Sequence, residues 1–170
     1  GCTDRLAQIE TDDGGMAVHA YLAWDPTSLE AVLFDTGWCL PPILSVIEER
    51  NLKLSAFFLT HSHGDHIAAL TDLRRAYPEI PCYAGGRHTP ASGRLEGGER
   101  FAFGGLEVQA FPTPGHAEDG VSFHLQWAAD GLNRAVVVGD AIFSGSMGGA
   151  PRAFELAKSK VREVILSQPP

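Results

Sequence analysis

Thr60-His61-Ser62-His63-Gly64-Asp65-His66 is the stretch on which the reading of this chain turns. Three histidines and an aspartate fall within six residues, directly after the apolar run Leu54-Ser55-Ala56-Phe57-Phe58-Leu59. Imidazole nitrogens and a carboxylate oxygen suit zinc, iron and related divalent ions. His61 and His63, two residues apart in an extended loop, can converge on one ion. Asp65 and His66, further round the turn, can address a second, and Gly64 permits the bend between the pairs. A lone histidine on a loop reads as a solvated side chain. Four metal-capable groups in this spacing at the end of a buried strand read as a metal site.

Two further candidates lie downstream, each at the end of a strand-like run. His116 closes Thr113-Pro114-Gly115-His116, and Asp140 closes Val136-Val137-Val138-Gly139-Asp140. Alone, each reads as an ordinary turn residue. In company with the cluster, each reads as a ligand, because loops at strand ends are where a rigid sheet can bring side chains to a common point.

Around these points the chain alternates strand and helix signals. Residues 16–24, 30–34, 54–59, 80–83, 99–103, 106–111, 121–127 and 135–138 read as strands. Asp25-Pro26-Thr27 marks a turn, and residues 41–51, 67–77 and 151–167 read as helices. In the last of these Pro151 fits the first turn, Phe154, Ala157, Val161, Val164 and Ile165 mark one face, and Pro169-Pro170 stop it. Many strands with helices able to cover them predict an α+β protein of two packed sheets flanked by helices.

The 170 residues fit one domain with a sizeable core. The net charge of −8, with Arg74-Arg75 as the densest basic pair, leaves no footprint for nucleic acid. Three widely spaced cysteines, Cys2, Cys39 and Cys82, without any CxxC, predict neither a disulfide framework nor a structural zinc site. No apolar run approaches the ~18–20 residues that span a membrane, and no secretory leader is visible. The expectation is a cytoplasmic protein with a small-molecule substrate, no nucleic-acid or membrane partner, and an oligomeric state left open. His19 and His124, in mid-strand, read as structural. His88 reads as a solvated loop residue and Cys39 as a small buried thiol.

The ordered series HSHGDH, PTPGH and VVVGD resembles the ligand series of the metallo-β-lactamase superfamily, nearest to its glyoxalase II-like hydrolases. Phe34-Asp35-Thr36-Gly37 resembles the early strand-end Asp-x-Gly of that family, and residues 139–149 resemble the glyoxalase II-like continuation. The resemblance runs over roughly residues 15 to 166. It implies an αββα sandwich of mixed and antiparallel sheets with a two-metal site at one edge. His61, His63 and His116 would bind the first metal, Asp65 and His66 the second, and Asp140 would bridge them. Asp35 would orient a ligand from behind. Zinc is the expected metal, with iron or manganese as alternatives. The family normally supplies one more His from a Gly-His motif beyond the final helix. Ser167-Gln168-Pro169-Pro170 reads as the lead-in to it, so the single domain of residues 1–170 is expected to lack its last C-terminal segment.

The reaction implied is hydrolysis of a small thioester or ester by a metal-bound hydroxide, since a divalent ion brings the pKa of water near neutrality. Asp65 and Asp140 would act in it by fixing the metals and hydrogen-bonding the nucleophile. No GxSxG elbow and no P-loop offers a rival chemistry. An alternative from another reaction class is a persulfide dioxygenase with one iron on His61, His116 and Asp140, a facial triad. A further alternative is a non-catalytic binding module or fragment, because a fold by itself does not carry an activity.

Overall fold

Alternation of buried and exposed side chains builds the first strand pair of this structure, a computed structural model describing residues 3–87, 89–129, 134–143, 146–149 and 154–166. In β1 (Leu6–Asp12), Ala7, Ile9 and Thr11 are buried while Gln8, Glu10 and Asp12 are exposed. β2 (Ala17–Trp24) pairs antiparallel with β1, and β3 (Glu30–Phe34) antiparallel with β2. The buried carboxylate of Asp25 holds the turn between β2 and β3 by accepting the Ser28 N–H at 3.0 Å. β4 (Lys53–Phe58) runs parallel to β3, and α1 (Pro41–Glu49) supplies the crossover that a parallel pair requires. After α2 (Gly64–Ile67) and α3 (Leu70–Ala76), the short strands β5 (Cys82–Ala84) and β6 (Gly93–Arg94) extend the parallel part. The result is one mixed sheet in the order β1-β2-β3-β4-β5-β6.

The second sheet is antiparallel throughout, in the order β10-β9-β8-β7. Its strands are β7 (Arg100–Phe103), β8 (Leu106–Pro112), β9 (Val121–Trp127) and β10 (Arg134–Val137). A 3-10 turn at Gly139–Ala141 and a small hairpin of β11 (Ile142–Phe143) and β12 (Ser146–Met147) follow. The last helix, α4 (Phe154–Lys160), passes into wider π turns over Val161–Leu166 and buries Ala157 and Val161.

Two apolar layers hold this together. Ala20, Leu22, Leu33 and Phe57 of the first sheet pack against Ile43, Ile47, Leu70 and Leu73 of α1 and α3. Phe34, Ala56 and Phe58 on its other face pack against Val108, Phe123, Leu125 and Trp127 of the second sheet. With α4 on the far side, beside the loop that leaves β8, the architecture is the expected αββα sandwich.

Topology explains why one edge gathers the candidate residues. Phe34 lies opposite Phe58 in the parallel β3–β4 pair, so both strands finish on the same edge. Asp35 leaves one, and Thr60 to His66 leave the other. In the second sheet, Pro112 of β8 pairs with Val121 of β9, and Val137 of β10 with Phe123. The end of β8, the start of β9 and the end of β10 therefore meet at a single edge. The Val121 N–H donates to the Thr60 carbonyl at 2.7 Å and joins that edge to the first sheet. Directly beneath, the rings of Phe34, Phe58 and Phe123 pack with centroids 5.1–5.5 Å apart.

Several expectations need correction. The helix expected over residues 67–77 starts at Gly64, so Asp65 and His66 ride on a helical turn. It then breaks around residues 68–69, where Ala69 donates its N–H to the Gly37 carbonyl instead of continuing the helix. The strand expected at residues 80–83 begins after Pro81, which has no N–H to give to a ladder. β1 went unrecognised although its alternation is regular. Two of its three buried positions, Ala7 and Thr11, are small or polar, which mutes the period-two signal. Pro151, Ser167, Pro169 and Pro170, the expected ends of the last helix, lie outside the described residues, as do Cys2 and His88.

Candidate metal centre

Asp35 is the residue from which the site is built. It sits just past β3 with a φ of 58°, a left-handed conformation that aspartate tolerates better than most side chains, and it is 1% exposed. Its carboxylate accepts the Thr60 N–H at 2.7 Å, the Thr60 hydroxyl at 2.6 Å and His66 Nδ1 at 2.8 Å. A buried charge needs such partners. A carboxylate can only accept, so His66 carries its proton on Nδ1 and turns Nε2 the other way.

The same logic sets His61. The single Thr60 hydroxyl proton goes to Asp35, so Thr60 Oγ1 accepts from His61 Nδ1, 2.9 Å away. The lone pair of His61 is thereby left on Nε2, a buried atom with no hydrogen-bond partner. His116 Nδ1 lies 2.9 Å from the Gly149 carbonyl, which also only accepts, so its Nε2 faces inward. That nitrogen is 3.0 Å from His63 Nδ1 and 3.4 Å from Asp140 Oδ2. The other oxygen of Asp140, Oδ1, is 3.2 Å from His66 Nε2, and Asp65 Oδ2 is 3.9 Å from the same nitrogen.

Two ligand-like groups result. His61, His63 and His116 bring one atom each within 4.8 Å of one another, and so do Asp65, His66 and Asp140. Asp35, His61 and His66 form a third such group, but the Asp35 carboxylate already accepts three hydrogen bonds from behind. Gly139 makes the approach of Asp140 feasible. Its φ is 53°, and a side chain there would start 2.4 Å from Thr60 Oγ1.

The electrostatics of these groups are those of a cation site. Burial, then the charges of His66 and His63, push His61 from its ordinary 6.5 down to about 3. Burial also works against a charge on His66, yet the hydrogen bonds to Asp140 and Asp35 outweigh it and raise that imidazole to about 10. The hydrogen bond from His66 in turn holds Asp140 below the usual carboxylate range. An orphaned buried lone pair on His61, beside carboxylates that draw a proton onto His66, fits residues made to hold divalent ions.

Every residue singled out in the sequence as a ligand, and Asp35 behind them, comes to this one place. Thr60, which the spacing of metal-capable residues leaves without a role, locks the His61 tautomer. A buried hydroxyl before the first His was the available signal. His19 does not behave as a structural residue. Its side chain is 43% exposed, 3.8 Å from Glu10, and it borders a cavity leading to the site. His124 is structural, packed against Phe111 with ring centroids 4.2 Å apart and planes tilted by 38°. Cys39 is only partly buried. Cys82 is buried, which raises its thiol to about 11.

Two cavities flank the cluster. One, of about 670 Å³, lies against His63 and His116 and is walled by Gly86, Arg87, Thr89 and Asp119. The other, of about 490 Å³, lies against Asp65, His66 and Asp140 and is walled by Met16, Tyr21 and Ile142.

Comparison with known proteins agrees with this geometry. Residues 13–167 match the family model of the metallo-beta-lactamase superfamily. A hydroxyacylglutathione hydrolase of Rhodopseudomonas palustris (strain HaA2) is 31% identical over 154 residues, covering 89% of this chain and 55% of that protein. The chain thus spans about half the length of the curated relatives it matches. The BLEG-1 B3 metallo-beta-lactamase superposes with a TM-score of 0.81 at 24% identity, covering 96% of this chain and 87% of that one. ETHE1 from Myxococcus xanthus superposes with a TM-score of 0.78 at 25% identity, covering 96% and 71%. By fold, by ordered ligand-type residues and by the match of most of its length, this chain belongs to the metallo-beta-lactamase superfamily.

Proposed function

We propose that this domain is a metal-dependent hydrolase of a small thioester or ester, with His61, His63 and His116 holding one divalent ion, Asp65 and His66 a second, and Asp140 bridging. The observation that carries this reading is the split carboxylate of Asp140, one oxygen toward His66 and the other toward His116. A ligand for one ion alone has no need to face both groups. Nitrogen and carboxylate donors favour zinc, and iron or manganese accept the same set.

Ions held here supply Lewis acidity, which polarises a carbonyl and makes water nucleophilic near neutral pH. The protein's part is to position and to exchange protons. Asp35 and Thr60 fix the tautomers, so that His61 and His66 would offer Nε2 to an ion. Asp65, partly exposed toward the cavity, has the carboxylate placed to take a hydrogen bond from the attacking water and to pass its proton to the leaving group. The flanking cavities fall in the range of ~300–1,000 Å³ that suits small-molecule ligands. The relatives named hydroxyacylglutathione hydrolase support the thioester class. A reducing compartment, the cytoplasm, agrees with Cys39 and Cys82 both being free thiols. No helix among the described residues is long and apolar enough to cross a membrane.

The test is a metal count on the purified protein, paired with thioester, lactone and ester panels. Two zinc or mixed divalent ions per chain with thioester or ester turnover is the expected result. One iron per chain with oxygen uptake would replace this reading with the single-iron dioxygenase. Metal-loaded protein with neither activity would leave a binding module.

A further inference from the structure

The two cavities differ in chemistry, and the difference bears on the substrate. Resting on the hydrolase reading above, we propose that the cavity beside Asp65, His66 and Asp140 receives an apolar acyl arm, with Met16 as the residue that sets its length.

The cavity exists because the two sheets are of unequal reach. Tyr21, Phe34 and Phe58 belong to the core between the sheets. His19 and Ala17 follow Tyr21 on the same face of β2, two residues at a time, but are exposed there because the second sheet no longer covers them. The uncovered face of β2 becomes one wall, and Val138 and Ile142 form the opposite one. Met16, Ala17, Val18, Val138 and Ile142 thus line the approach, with Gln8, His19 and Tyr21 among them, and the carboxylates and His66 stand at its end.

Met16 stands at the tip of the β1–β2 hairpin and lines the same cavity. It is 55% exposed, one of three large apolar side chains so exposed among the described residues. Its position is built. Asp13 Oδ1 accepts the N–H of Gly15 at 3.0 Å and of Met16 at 2.9 Å, so the tip is a closed turn. An unbranched thioether on a fixed turn is an adaptable apolar wall.

The other cavity is the more polar of the two. Arg87, Thr89, Ser62, Glu118 and Asp119 line it, so it suits a polar or charged group. A thioester that joins a hydrocarbon acyl group to a polar carrier thiol divides in the same way. Its carbonyl would lie between the two ligand groups, with the acyl arm toward Met16 and the thiol arm toward Arg87.

The experiment uses zinc-loaded protein and two readouts. The first compares kcat/KM for acetyl, butanoyl and octanoyl thioesters of N-acetylcysteamine in the wild type, Met16→Trp and Met16→Ala. Met16→Trp should lower the octanoyl-to-acetyl ratio by tenfold or more, and Met16→Ala should raise it. The second needs no turnover. Butyrate and octanoate are titrated while the methyl resonances of the two methionines, Met16 and Met147, are followed, with Met16→Leu fixing the assignment. Octanoate should bind more tightly than butyrate and shift the Met16 methyl. Octanoate binding with a Met16 shift but no hydrolysis would uphold this cavity and remove the hydrolase reading. Hydrolysis with an unchanged chain-length ratio and no Met16 shift would overturn the acyl cavity and leave the hydrolase reading in place.

Discussion

Residues 60–66 and residues 113–140 each contribute to the same cluster, but they are held in different ways. The first segment leaves a parallel strand and is bonded at once to a buried carboxylate. Asp35 takes two hydrogen bonds from Thr60 and one from His66, and His61 and His66 are each 4% exposed. The second segment leaves antiparallel strands in longer loops. Its His116 and Asp140 side chains are 23% and 22% exposed, and their orientation rests on the Gly149 carbonyl and on the first segment itself. One side of the site is preorganised by its own sheet. The other is positioned by the packing of two sheets across Val121 and Thr60. Both segments border the cavities, the first through His63, Asp65 and His66 and the second through His116 and Asp140.

The comparison predicts where the site breaks hardest. Asp140→Ala removes the carboxylate whose two oxygens face the two ligand groups, with little cost to the core. An ion's contribution is several kcal/mol, so kcat should fall on the order of 10³-fold or more, with loss of about one metal ion per chain. Full activity with two ions retained would refute the bridging role. Asp35→Asn attacks the preorganised side from behind. Loss of a partner that orients a ligand typically costs ~10–100-fold in metal affinity or activity, and titration with a metal chelator reads it directly. An unchanged affinity would mean that the tautomers of His61 and His66 are fixed by something else. Thr60→Val leaves the carboxylate and the backbone bond in place and removes only the hydroxyl relay to His61. Leaving buried polar groups unmatched should cost roughly 1–3 kcal/mol of stability, measured by urea unfolding.

The smallest effect is one of pH, and its sign differs for the two buried histidines. His66 is raised from 6.5 to about 10 in the metal-free fold, so its contribution is complete below pH 6.5 and is lost as pH rises toward 10. His61 is lowered from 6.5 to about 3, so the unfolded chain gains the proton first and stability is lost as pH falls from 6.5 toward 3. Metal-free protein should therefore have its highest Tm near pH 6.5. Metal-loaded protein should stay flat from there to pH 10, because Nε2 of His66 is no longer free to take the proton. A metal-free profile that stays level above pH 7 would show that the proton shared by His66 and Asp140 is not what stabilises the empty cluster.

Much of this was legible in the residues. The six-residue cluster is local, and local spacing after an apolar strand survives any tertiary arrangement. His116 and Asp140 were legible as ligands only in company with the cluster and through the family resemblance, since the chain separation of 53 between His63 and His116 hides their 3.0 Å approach. The helix break at residues 68–69 and the role of Thr60 were not legible. Each depends on a partner far away in sequence, Gly37 and Asp35.

What the sequence determined by itself was chemical: which side chains can hold an ion, that they follow strands, and that apolar alternation can build two sheets. Only the tertiary structure decided which lone pair each imidazole offers, because a tautomer is set by the partner of the opposite nitrogen. It alone decided that Asp140 faces both groups, because β10 ends on the edge where β4 ends. It alone opened a cavity at Met16, because β2 runs past the end of the second sheet and leaves its face uncovered there.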